Sequence, residues 1–176
     1  MKSKLLVFRG EPGTGKSTLA KLLCDKLGWT LIVRDDIKED LVKKGTDESK
    51  LGAQSYLLMW QEAKKLLAKG QSCICDTNLF QPITVADLAA FEEKAKILII
   101  ECFVSNKRVH KQRLESRRDQ KLAEFWIDNW QKYKNYLKDA KNNEALDINI
   151  HYPLLRVDTV KRIKINDILN WIQQID

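Results

Sequence analysis

Residues Gly10-Glu11-Pro12-Gly13-Thr14-Gly15-Lys16-Ser17-Thr18 fill the pattern of a glycine, four residues, a second glycine, a lysine and then serine or threonine. These residue types at this spacing hold phosphates. Glycines let backbone N–H groups approach the phosphate oxygens, the Lys16 ammonium reaches the β- and γ-phosphates, and the Ser17 hydroxyl ligates Mg²⁺. Gly10 to Thr18 are therefore expected to bind a nucleoside triphosphate, with Lys16 active in the transfer of phosphate and Ser17 on the metal.

Further acids and arginines extend the chemistry. Asp35 and Asp36 follow the apolar run Trp29-Thr30-Leu31-Ile32-Val33. A carboxylate there can orient an attacking hydroxyl and take its proton, which makes Asp35 the expected base, while Asp36 is placed to cap a helix. Asp76 ends Cys73-Ile74-Cys75 and is expected beside Mg²⁺. Thr77 follows it, where water-activating motors carry Glu, so a transferase is favoured over a hydrolytic motor. Asn106-Lys107-Arg108-Val109 lacks the final Asp of the guanine-recognising Asn-Lys-x-Asp pattern, which favours ATP. Arg113 and Arg117 stand four residues apart, on one face of an expected helix capped by Ser105, and present two guanidinium groups to a triphosphate.

These residues need a scaffold that gathers them. Five apolar, β-rich runs, at 3–9, 29–34, 71–76, 97–104 and about 150–157, alternate with helical patterns near 17–27, 36–44, 53–69, 82–95, 106–118, 122–139 and 165–174. Such alternation predicts an α/β fold with a five-stranded parallel sheet, helices on both faces, and a helical lid at about 105–121. Ligands of open parallel sheets collect at the carboxyl ends of the strands, where the loop, Asp35 and Asp76 all fall. Trp126, Trp130, Tyr133 and Leu137 form a stripe at helical spacing that reads as core, as do Tyr56 and Trp60, the latter pair bordering the acceptor side. His110 and His151 have no partners at metal-ligand spacing.

The 176 residues suit a single domain, 1–176, and no apolar run approaches the ~20 residues of a membrane span. No signal or transit segment is evident, so the expected location is the cytoplasm. Cys24, Cys73, Cys75 and Cys102 show no Cys-x-x-Cys spacing and read as reduced thiols. The net charge is +7, and the stretch between Phe103 and Leu122 alone carries seven basic residues against two acids. A bound triphosphate accounts for that cluster, and a nucleic acid is a second partner of matching charge.

The loop, Arg34-Asp35-Asp36, Asp76-Thr77-Asn78-Leu79 and the Arg113/Arg117 pair together resemble the kinase module of phage-type polynucleotide 5′-hydroxyl kinases and the small P-loop kinases related to them, over about residues 4–137. The resemblance implies a P-loop NTPase fold, ATP and Mg²⁺ as cofactors, and Asp35 as general base. It also implies that Asp76 supports Ser17 and the metal, and that Arg113 and Arg117 are lid arginines, with Arg117 nearer the transferring phosphate. Lys38 stands where those kinases have an arginine that holds the acceptor's phosphate, so Lys38 and Asp35 are the expected acceptor-binding residues. The expected activity is ATP-dependent phosphoryl transfer to a hydroxyl acceptor. A nucleic-acid 5′-hydroxyl ranks first, with a nucleoside, nucleotide, nucleotide sugar or other small metabolite next. A nucleotide-binding switch without an acceptor is the alternative from another class. Oligomeric state has no signal.

Overall fold

The computed structural model describes residues 2–79, 86–116, 127–142 and 150–175. Within them the chain runs β1 (Ser3–Arg9), α1 (Lys16–Leu27), β2 (Thr30–Val33), α2 (Arg34–Lys43), α3 (Glu48–Ala68), β3 (Cys73–Asp76), a 3₁₀ turn (Asp87–Phe91), β4 (Ala95–Phe103), α4 (Lys107–Glu115), α5 (Trp130–Asn142), β5 (Leu154–Asp158) and α6 (Ile165–Gln174). The five strands form one parallel sheet in the order β2-β3-β1-β4-β5, as the alternation predicts.

Strand residues alternate in direction, so each buried strand feeds two cores. Leu5, Val7, Cys73, Cys75, Ala95, Ile97 and Ile99 face α3 and the 3₁₀ turn, meeting Met59, Trp60, Ala63, Leu67, Leu88 and Phe91. Their neighbours Leu6, Phe8, Ile74, Leu98, Ile100 and Cys102 face α1 and α6, meeting Leu19, Leu23, Ile168 and Ile172. Helices thus cover both faces. With β1 at the centre, the connection leaving β1 runs to β2 on one side and the connection leaving its neighbour β4 runs to β5 on the other, so a crevice opens at the carboxyl ends of β1 and β4, where the glycine loop begins.

Three local expectations need correction. Of the helix expected at 82–95, residues 82–85 lie outside the described residues and Ala86 is helical, but Asp87–Phe91 form a 3₁₀ turn and Ala95 already belongs to β4, paired with Ser3. Leu88 and Phe91 are three apart, a spacing that a 3₁₀ turn satisfies as well as an α-helix does. The cap of α4 is Asn106, whose side chain accepts from the N–H groups of Arg108 and Val109, and the Ser105 N–H instead donates to Asp158. Neither acid caps α2: that helix follows β2 without a linker, Val33 is its N-cap, and Asp35 and Asp36 lie in its first turn. There they meet the positive end of the helix dipole. Helix α5 is described from Trp130, so Trp126 and the first part of the expected 122–139 helix lie outside the described residues, as does Pro82. The four cysteines are free thiols, and burial raises the Cys102 thiol to about 12. No helix among the described residues is long and apolar enough to cross a membrane.

Candidate active site

The glycine loop connects β1 to α1 through three residues with positive φ: Gly10 at 144°, Gly13 at 78° and Gly15 at 85°, the last being the N-cap of α1. A side chain at Gly13 would approach Leu114 to 2.9 Å, and one at Gly10 would meet the Cys102 carbonyl at 2.3 Å. The loop is held internally as well. Glu11 O accepts from Thr14 Oγ1 at 2.7 Å and from Lys16 Nζ at 2.9 Å. Lys16, 8% exposed, opens α1, so its ammonium and the unpaired N–H groups of a helix start share one location, a site suited to an anion.

Register brings the acids to this location. Asp76 ends β3 opposite Phe8 of β1 and Val33 of β2. It is 5% exposed, and burial raises its carboxyl above the ordinary range, against the opposing pull of a Ser17 hydrogen bond and the Lys16 charge. Because α2 leaves β2 directly after Val33, Arg34 and Asp35 emerge beside Asp76. A cavity of about 150 Å³ is lined by Lys16, Ser17, Asp35, Lys38 and Asp76, together with Pro12, Arg34, Thr77, Asn78 and Ile127. Six of the expected site residues, Pro12, Lys16, Ser17, Asp35, Lys38 and Asp76, therefore share one chamber. Asp36 does not line it; burial raises its carboxyl, with Lys21 acting the other way.

Two cations set the character of the chamber's outer wall. The Arg34 guanidinium carbon lies 4.1 Å from the centroid of the Tyr56 ring, and its Nε is buried without a hydrogen-bond partner. Lys38, one helical turn on, has its ammonium pKa lowered, chiefly by burial and next by the Arg34 charge. Sequence reading assigned Arg34 no role of its own. Tyr56 and Trp60 are core residues, and Tyr56 serves the site by carrying Arg34.

Arg113 lies elsewhere. Its two terminal nitrogens donate to Thr159 Oγ1 at 2.7 Å and Thr159 O at 3.0 Å. With Gly13, Gly15, Thr18, Leu22 and Ile163 it lines a second cavity, of about 360 Å³, against the same loop. Arg117 lies outside the described residues. His110, given no role from sequence, is buried with its Nε2 2.7 Å from Pro12 O, and Tyr133 donates to the Glu11 carboxylate. The spacing Trp130-Tyr133 marked those two side chains as inward-facing; nothing local marked His110 as their neighbour or the loop as a partner.

Among the described residues no three His, Cys, Asp or Glu side chains converge on a metal site. The donors that do meet, one hydroxyl from Ser17 and one carboxylate from Asp76, fit Mg²⁺, which keeps waters and takes phosphate oxygens in place of an all-protein cage.

Residues 5–139 match the family described as AAA domain. The chain belongs to the AAA domain family. Several solved structures are similar to this AAA domain over most of its length. A provisionally named kinase of Chloroflexus aurantiacus j-10-fl superposes with a TM-score of 0.78 at 24% identity, covering 100% of both chains. A sugar kinase of Janibacter sp. HTCC2649 does so with a TM-score of 0.65 at 15% identity, covering 97% of this chain and 95% of that one. A chain of the Pnkp1/Rnl/Hen1 RNA repair complex gives a TM-score of 0.60 at 17% identity, over 81% of this chain and 45% of that one. At these identities the likeness is one of fold, and the fold is that of the P-loop kinases. The AAA domain is also 38% identical over 66 residues to the adenylate kinase of Thermotoga neapolitana, a match that spans 38% of this chain and 26% of that protein.

Proposed function

We propose that the protein is an ATP-dependent kinase that transfers the γ-phosphoryl group to a hydroxyl acceptor bearing an anionic group close to that hydroxyl. The observation that carries this reading is the single chamber in which Lys16 and Ser17 of the glycine loop meet Asp35, Asp76 and Lys38. Lys16 and the loop N–H groups bind the triphosphate. Asp35 accepts the proton of the acceptor hydroxyl as its oxygen bonds to the γ-phosphorus and ADP departs. Magnesium, held by Ser17 with Asp76 behind it, supplies neutralisation of the phosphate charge when bound. The second cavity, between Arg113 and the loop, is the place for the nucleoside end of ATP. Arg34 and Lys38 favour an anionic acceptor, and a nucleic-acid 5′-hydroxyl, whose neighbouring phosphate supplies the charge, is the first form to test. The resemblance of the Arg-Asp-Asp and Asp-Thr-Asn-Leu elements to polynucleotide kinases supports that order.

The test is incubation with labelled ATP and three sets of acceptors: 5′-hydroxyl oligonucleotides, phosphorylated or carboxylated small hydroxyl compounds, and uncharged nucleosides and sugars. Label on the first set is the expected result, with an acceptor KM that rises steeply with salt. Label on the second set alone replaces the nucleic acid with a small metabolite. Label on the uncharged set alone overturns the anionic acceptor, and turnover of ATP with no labelled product overturns the kinase.

Lys38 gives the acceptor site a pH signature. Its lowered pKa means that the ammonium loses its proton below the ordinary lysine value of 10.5. The acceptor KM is therefore expected to rise with pH through that region while the ATP KM holds steady. Lys38→Arg, which stays charged, should remove the alkaline rise. Parallel profiles for parent and variant would exclude Lys38 from acceptor binding.

A further inference from the structure

Three groups of the glycine loop are each tied to a side chain outside it. The Glu11 carboxylate accepts from the Tyr133 hydroxyl on α5. Pro12 O lies 2.7 Å from His110 Nε2 on α4. Thr14 O lies 2.7 Å from Thr159 Oγ1, just after β5. A carbonyl only accepts, so His110 carries its proton on Nε2 and donates to Pro12. Thr159 Oγ1 accepts from Arg113 and spends its own hydrogen on Thr14.

The two carbonyl tethers have a geometric consequence. A trans peptide is planar, and its C=O and N–H point in opposite directions. Holding Pro12 O against α4 turns the Gly13 N–H away from α4. Holding Thr14 O against Thr159 turns the Gly15 N–H away from the β5 end. Glycine peptides rotate more freely than others, so without tethers these two would sample orientations in which a carbonyl faces the phosphates.

The clamp is rigid. His110 and Tyr133 are each 5% exposed, and their rings pack edge to face with centroids 4.8 Å apart. Trp130 closes the cluster, 4.9 Å from Tyr133 and 5.9 Å from His110. A side chain at Gly13 would strike Leu114 and approach His110 to 3.3 Å, so α4 lies directly against the loop.

We propose that His110 and Thr159 are positioning residues of the phosphate site: by drawing the Pro12 and Thr14 carbonyls outward they aim the Gly13 and Gly15 N–H groups at the bound phosphates. Tyr133 supports them by packing against His110 and by drawing the Glu11 carboxylate, a like charge to the ligand, onto its hydroxyl. The inference rests on the triphosphate-binding part of the reading above and is independent of the acceptor.

Inorganic tripolyphosphate is the probe, because it reports the phosphate cradle without nucleoside or acceptor. Its Kd is measured by calorimetry in the presence of Mg²⁺ for the parent, His110→Phe, His110→Gln and Thr159→Val, with the melting temperature of each. His110→Phe keeps the ring packing and loses the donor; about a tenfold weaker Kd is expected, the worth of one hydrogen bond. His110→Gln restores a nitrogen donor and should recover most of that loss, whereas a role confined to packing would leave Gln weaker than Phe. Thr159→Val, nearly isosteric, should weaken binding several-fold. Should His110→Phe fail to fold, the Gln and Val variants decide. Parental affinity in both Phe and Val variants, or no recovery by Gln, overturns the proposal. Failure of the parent itself to bind tripolyphosphate or ATP overturns the functional reading instead.

Discussion

Replacement of Asp35 by Asn is expected to lower kcat for phosphoryl transfer by about 10²–10⁴-fold, the usual worth of a general base, while changing ATP affinity less than about twofold. Asn keeps the shape of the side chain and loses the oxygen that accepts a proton. Its position is fixed by the sheet: Val33 pairs with Asp76, α2 starts at the next residue, and Asp35 lines the chamber that Lys16 and Ser17 enter from the loop. Asp36 provides the control. It shares the first turn of α2 and lies outside the lining of the chamber, so Asp36→Asn should leave kcat within about threefold of the parent, since groups that miss the reacting atoms contribute no differential binding. Steady-state transfer of labelled phosphate at saturating ATP and acceptor gives kcat, and calorimetry gives ATP affinity. Undiminished transfer by Asp35→Asn, or an equal loss in both variants, would remove Asp35 as the base.

The contrast between these neighbours shows how far sequence carries. Phosphate loop, strands and the residues at strand ends were legible because each is written in a contiguous stretch: a motif, an apolar run, a run's last residue. Their convergence followed from one rule about parallel sheets. What escaped is long-range. Asp35 was expected in the site and Asp36 at the helix cap; Asp35 does line the chamber, but the junction of β2 with α2 gives the cap to Val33 and leaves Asp36 in the first turn. Leu88 and Phe91 fit two helix types, and the pairing of Ala95 with Ser3 ends the helical stretch short of the expected boundary. Tyr133 was read as inward-facing, and so it is, whereas His110 was given no role and proves to be buried beside it. Their contacts are with Glu11 and Pro12, about a hundred residues away, and no local pattern encodes that partnership. Arg113 was expected over the phosphates; its bonds to Thr159 follow from the β5 end lying against the loop, a fact of topology.

Gly10→Ala tests the junction where fold and site meet, and it is expected to destabilise the protein by roughly 2–6 kcal/mol, combining backbone strain with overpacking. Gly10 has φ of 144°, and an added Cβ would lie 2.3 Å from the Cys102 carbonyl and 3.0 Å from Thr14 Oγ1. The carbonyl cannot retreat easily. It belongs to β4, which is paired with β1 in register up to Arg9 and Glu101, and the Cys102 side chain is buried against α1 and α6. A loss of that size takes a large share of the 5–15 kcal/mol typical of a domain. Gly52 supplies the opposite case: it lies within α3, has no atom within 4 Å of an added Cβ, and is exposed, so Gly52→Ala should stabilise by about 1 kcal/mol. Urea denaturation of both variants measures the pair. Were Gly10→Ala as stable as the parent, the glycine would serve ligand approach alone; the expected loss instead makes this residue a requirement of the β1–β4 junction before any phosphate arrives, so that the start of the loop is set by sheet packing and its far end by the tethers on Pro12 and Thr14.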